Sequence, residues 1–72
     1  MIPYKNISRN SVVKAYSIGE DHIKVRFARS AAIYTYSYRK AGKSHVENMK
    51  ALAEKGKGLS TYISKHARAL YD

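Results

Sequence analysis

"HIKVRFARSAAIYTYSYRK", residues 22–40, decides how this chain folds. Its first six residues alternate: Ile23, Val25 and Phe27 fall on one side, His22, Lys24 and Arg26 on the other, as in a strand with one buried face. Further on, Tyr34, Tyr36 and Tyr38 take every second position, so a following strand carries all three rings on a single face. A hairpin between the two is expected, and the parity of its loop decides which face the rings share. With an even loop, such as Arg29 and Ser30 alone, Phe27 lies opposite Ala32 and Val25 opposite Tyr34, and the tyrosines are core. With an odd loop, Arg29 to Ala31, Phe27 pairs with Ile33, Arg26 with Tyr34, Lys24 with Tyr36 and His22 with Tyr38. The rings then stand beside the positive charges.

Turn chemistry favours the odd loop. A two-residue hairpin needs positive φ, which glycine or asparagine supplies and Arg29-Ser30 does not. The three-residue loop also prefers glycine at its last position, and a four-residue loop stays open. The odd register turns Thr35 and Ser37 inward, which a core tolerates at its edge or with the hydroxyls bonded. The expectation is therefore an aromatic strip on the face of Lys24 and Arg26.

Upstream, "SVVKAYSI" (residues 11–18) is rich in β-branched and aromatic residues, and Gly19-Glu20-Asp21 separates it from the next strand as a turn. Residues 1–10 hold the single proline, Pro3, in a polar mix without period, and read as a loosely held leading segment. Downstream the period changes at Gly42. Ser44 and Glu47 have capping-box spacing, Val46, Met49, Leu52 and Ala53 follow at helical intervals, and Gly56 supplies a stop, which predicts a helix over 45–55. Leu59, Tyr62, Ile63, His66, Ala67 and Leu70 form the buried stripe of a second helix over 59–70, with Lys65 and Arg68 away from it. Strands first and helices second give an α+β fold of βββαα order, a three-stranded antiparallel meander with a helix pair on one face.

At 72 residues the chain is expected to form one domain with modest stability. It has no cysteine, hence no disulfide framework or thiolate metal site, which suits a reducing cytoplasm. No stretch resembles a signal-peptide core or a spanning helix, so a soluble, unprocessed, cytoplasmic protein is expected. Asn6-Ile7-Ser8 fits the glycosylation pattern by chance. Neither an internal repeat nor a low-complexity tract is present.

Charge is the strongest functional signal: 14 Lys and Arg against 5 Asp and Glu give a net charge of +9 and a pI near 10.0. Such a surplus favours polyanionic partners, nucleic acid first. Nucleic-acid binding needs cations for phosphates and flat rings for unstacked bases. Lys24, Arg26, Tyr34, Tyr36 and Tyr38 are candidates for such a face, and Arg39, Lys40 and Lys43 extend it toward the first helix.

Other chemistries find less support. "AGKS" (41–44) ends like a phosphate-binding loop, but Ser37 occupies the position of its first glycine; what remains is a helix amino terminus able to meet a phosphate. His22, His45 and His66 are scattered without a close second ligand, so no metal or other cofactor is expected. With no cysteine nucleophile and no carboxylates paired for acid–base work, the chain is not expected to be an enzyme. A membrane-surface role would use up the apolar stripe that the core needs. The rival reading is a protein-interaction module that uses the same tyrosines against an acidic partner.

Taken together, "IKVRF", a short hairpin, the "YTY" pair, a helix and "GKGLSTYI" resemble the KTSC domain, a small family named for the carboxy-terminal domain of some lysyl-tRNA synthetases and also found as stand-alone bacterial proteins. The resemblance covers roughly residues 8–68, with its Tyr-x-Tyr mark on Tyr34 and Tyr36, or alternatively on Tyr36 and Tyr38. The family commonly has a glycine in the preceding hairpin, where this chain has "ARSAA". RNA binding has been proposed for the family, and the resemblance alone places RNA ahead of DNA.

Overall fold

A computed structural model describes residues 1–5, 12–28 and 31–72. The chain is α+β, with strands β1 (Ile2–Pro3), β2 (Val13–Ile18), β3 (His22–Phe27) and β4 (Ile33–Ser37) followed by helices α1 (Lys43–Lys55) and α2 (Leu59–Tyr62). The second helix widens at Ile63–Ala67 into a π-helical turn. The strands form one antiparallel sheet in the order β1-β2-β3-β4. One strand more than expected is present, because the start of the chain is built into the fold. Ile2 pairs with Tyr16, and the Tyr4 amide donates to the Lys14 carbonyl at 2.9 Å. Residues 6–11, which include Asn6-Ile7-Ser8 and the first residue of the strand expected over 11–18, and the turn pair Arg29-Ser30 lie outside the described residues.

The register between β3 and β4 is the even one. Ile23 pairs with Tyr36, Lys24 with Thr35, Val25 with Tyr34 and Arg26 with Ile33. This overturns the expected strip: Tyr34 and Tyr36 share the face of Ile23 and Val25, not that of Lys24 and Arg26. Tyr38 continues the same face, its amide donating to the Asp21 carbonyl at 2.9 Å. The physical reason is a matter of size. Burying a side chain as large as phenylalanine stabilises by about 1.5–3 kcal/mol, whereas holding a residue other than glycine at positive φ costs roughly 1–2 kcal/mol. Burial of two rings outweighs a turn preference of that size, and Thr35 and Ser37 go outward, where their hydroxyls cost nothing.

The helices cover this inner face. Val46, Met49 and Ala53 of α1 and Leu59, Ile63 and Ala67 of the second helix are buried against Val13, Tyr16, Ile23, Val25 and Tyr36. Between the helices, Gly56 ends α1 in the left-handed region at φ 79°, and a Cβ there would come within 2.6 Å of the Lys5 Cβ. The leading segment therefore presses against the interhelical joint. Tyr4 is buried with its ring edge-on to Tyr16, and its hydroxyl accepts from the Leu59 amide at 3.3 Å. That bond satisfies one of the free amides at the start of α2.

Two local expectations are corrected. The helix begins at Lys43 with Gly42 as its cap, and Ser44 makes no capping hydrogen bond. A tight turn after β4, in which the Ala41 and Gly42 amides donate to the Ser37 and Tyr38 carbonyls, starts the helix early, while Glu47 is drawn to Tyr38 and Lys50. His66 is exposed rather than part of the buried stripe. In the widened turn Ile63 and Ala67 fill the buried positions, and the His66 ring lies on Tyr62, 4.8 Å between centroids.

With Tyr36 only 2% exposed, Tyr36→Ala is expected to lose about 3–5 kcal/mol in chemical denaturation, enough to leave a domain this small largely unfolded. Lys24→Ala, on the opposite face, is expected to change stability by less than about 0.5 kcal/mol.

Candidate nucleic-acid interface

The outer face of the sheet is built from the alternate residues left over by the core. Along β3 it carries His22, Lys24 and Arg26, flanked by Ser17 and Ala15 of β2 and by Ser37, Thr35 and Ile33 of β4. None of the residues of β2, β3 or β4 is acidic. The described core is drawn from the other face, and on this one Lys24 is exposed, Arg26 half-buried and Ile33 51% exposed. Along β2, β3 and β4 it is an open, basic surface without a tyrosine or phenylalanine ring.

Ser37 links this face to the second group of expected residues. It stands opposite His22 at the end of the Lys24 row, and it lines a shallow cleft of about 370 Å³ with Arg39, Lys40 and Asp72. Its hydroxyl donates to the Asp72 carboxylate at 2.8 Å and accepts from the Lys40 amide at 3.2 Å. Arg39 and Lys40 are exposed in the turn after β4. The structure thus brings Lys24 and Arg26 together on one strand and joins them through Ser37 to Arg39 and Lys40.

Tyr38 and Lys43 are occupied elsewhere. The Tyr38 hydroxyl donates to Glu47 at 2.5 Å, and the Lys50 and Lys43 ammonium groups lie 5.3 and 6.0 Å from its ring centroid. The bond to the Glu47 carboxylate holds the Tyr38 hydroxyl above its ordinary pKa, and the Glu47 carboxyl is held below its own by Tyr38 and then by Lys50. Lys50, which the sequence did not single out, also pairs with Glu47 at 2.9 Å and donates to the Glu20 carbonyl at 3.2 Å. This knot fastens α1 to the end of β4 and to the β2–β3 turn.

The other two rings line a second cleft, of about 340 Å³, open between the sheet and the second helix. Tyr34 contacts Phe27 at 5.4 Å and Tyr71 at 4.9 Å between centroids, and Tyr71 also reaches Tyr36 at 6.4 Å. On the helix side Ser60, Ser64 and Arg68 succeed one another at intervals of four. Neither Arg68 nor Tyr71 was visible as a site residue. Arg68 stands apart from the strand cluster in sequence, and nothing periodic places Tyr71.

His45 and His66, scattered in the sequence, are brought to 6.3 Å between ring centroids, with Tyr62 hydrogen-bonded to His45 Nδ1 at 2.6 Å. Among the described residues no group of three or more His, Asp or Glu is placed to hold a metal ion, and no helix is long and apolar enough to cross a membrane. No protein-family model, curated protein or solved structure matches the chain.

Burial, reinforced by the neighbouring Tyr34 and Tyr71 phenols, pushes the Tyr36 hydroxyl up from 10.0 to about 12. The neutral phenol is thus favoured in the folded state, so its contribution to stability is complete below about pH 10 and is lost as pH climbs from there to about 12. Tyr36→Phe is expected to flatten the loss of stability across that window in denaturant titrations. An equally steep loss in the variant would refute this placement of the hydroxyl.

Proposed function

We propose that this chain is a non-catalytic nucleic-acid-binding domain of the KTSC type, taking RNA ahead of DNA, without strong sequence choice. The observation that carries the proposal is the open sheet face with Lys24 and Arg26 outward, acid-free along its strands and continuous through Ser37 with Arg39 and Lys40. On a body with net charge +9, such a surface neutralises phosphates and releases their counterions, which is the main source of sequence-independent affinity. RNA precedes DNA through the family resemblance alone. The tyrosines do not serve as a stacking platform on this face, whose aromatic ring along β2, β3 and β4 is the His22 imidazole, bonded to Asp21. Lys43 reaches phosphate from beside Tyr38, as an outlying charge.

One observation favours a second reading. Ile33, 51% exposed, stands beside Arg26 at the start of the edge strand, and a basic face with an apolar corner also fits an acidic peptide with an apolar anchor. Recovery of the protein from extract with and without nuclease separates the two, since a peptide partner survives nuclease.

For a single-stranded oligonucleotide, log affinity is expected to fall against log salt with a slope near −0.7 per phosphate neutralised. The double change Lys24→Ala with Arg26→Ala is expected to make the slope shallower by about 0.7 for each phosphate left without its cation, while thermal stability is little altered. Binding in fluorescence anisotropy that is indifferent to salt would sink the proposal.

A further inference from the structure

The cleft between the sheet and the second helix differs in kind from the open face. One side is aromatic, formed by Phe27 and Tyr34 of the sheet and Tyr71 of the tail, with the rings inclined at 59° and 62° to one another. Its helix side is polar, with two hydroxyls and the Arg68 guanidinium at the mouth. Arg68 has no ion pair among the described residues, and Tyr71 is 43% exposed. Tyr36 is the most informative member: its ring is almost wholly buried and lines the cleft, and because no buried side-chain oxygen among the described residues lacks a partner, its unbonded hydroxyl is open to the cleft. A hydroxyl at the edge of an apolar wall can donate to or accept from whatever enters.

We propose that this cleft holds one nucleotide unit, with the base against the tyrosine and phenylalanine wall, a hydrogen bond to the Tyr36 hydroxyl and the phosphate on Arg68. The size fits a single small ligand, near the lower end of ligand pockets. Inclined aromatic rings offer both a face and an edge to a planar ring, and an unpaired guanidinium on a strongly basic protein selects an anion, best a phosphate it can grip through two N–H groups. A nucleoside monophosphate joins both properties in one molecule. The unit can come from a free nucleotide or from one unstacked residue of a single strand. In the second case it rests on the function proposed above, the open face holding the backbone while the cleft takes one base.

Nuclear magnetic resonance titration with adenosine monophosphate, and separately with a single-stranded oligonucleotide, tests this. Expected are shifts at Tyr34, Arg68 and Tyr71 with adenosine monophosphate, unchanged by Lys24→Ala. Arg68→Gln, at an exposed position, is expected to weaken binding about tenfold or more. Tyr36→Phe, which keeps the ring, is expected to weaken it several-fold. Silence of the cleft toward both probes, or an affinity untouched by Arg68→Gln, overturns the inference. If the oligonucleotide then still shifts Lys24 and Arg26, the proposed function stands without it. Adenosine monophosphate seated in the cleft, with no binding of the oligonucleotide, supports the inference with free nucleotide as the source and overturns the proposed function. Competition between the two probes at the cleft supports both.

Discussion

The pairing of Val25 with Tyr34 and of Ile23 with Tyr36 is the constraint on which the rest of the structure depends. Because side chains alternate along a strand, that one register decides the content of both sheet faces at once. It sends the rings under the helices, where Tyr36 completes a core otherwise made largely of small and medium aliphatic residues. It sends Lys24 and Arg26 the other way, into water, with Thr35 for company. A slip by a single residue would put hydroxyls in the core and aromatic rings on the charged face.

Much of the fold was legible. Alternation in "HIKVRF" and the 3.6-residue period after Gly42 mark the elements, because those patterns report which side of each element meets the core. Parity was harder, since it rests on competition between ring burial and turn preference, and residue types around Arg29 and Ser30 weigh only the second. The first strand was missed for a similar reason. Two residues, one of them proline, carry no period, and Tyr4 is held by Tyr16 and Leu59, both distant in sequence. At the candidate interface, the basic residues were found by type and alternation, but the partition of the tyrosines and the presence of Arg68 and Tyr71 beside them follow from how the second helix and the tail return to β4.

Three acids lie away from the Lys24 and Arg26 pair, although Asp72 shares the cleft of Arg39 and Lys40. Of the five, Glu47 is held by Tyr38 and Lys50, Asp21 bonds His22 at 3.0 Å, and Asp72 accepts from Ser37. These acids are tied to local fastening at the sheet's turn end and at its edge, so the middle of the outer face keeps an undiluted positive field. Self-repulsion from that field opposes compactness. The fastening of α1 to the sheet through Tyr38, Glu47 and Lys50 counters it where Lys40, Lys43 and Lys50 are crowded together in the sequence.

The end of the chain does more than close the aromatic cleft. The Asp72 amide donates to the Thr35 carbonyl at 2.7 Å along the outer edge of β4, and at the opposite edge β1 is a two-residue strand with a proline. Unpaired strand edges are templates on which other chains extend a sheet. Here the tail takes up one backbone group of the β4 edge, and the two described residues of β1 are too short and too poor in donors to offer a ladder, so both edges are blunted against stacking of copies through their backbones. With its edges blunted in this way, the open outer face meets other molecules through side chains rather than through backbone.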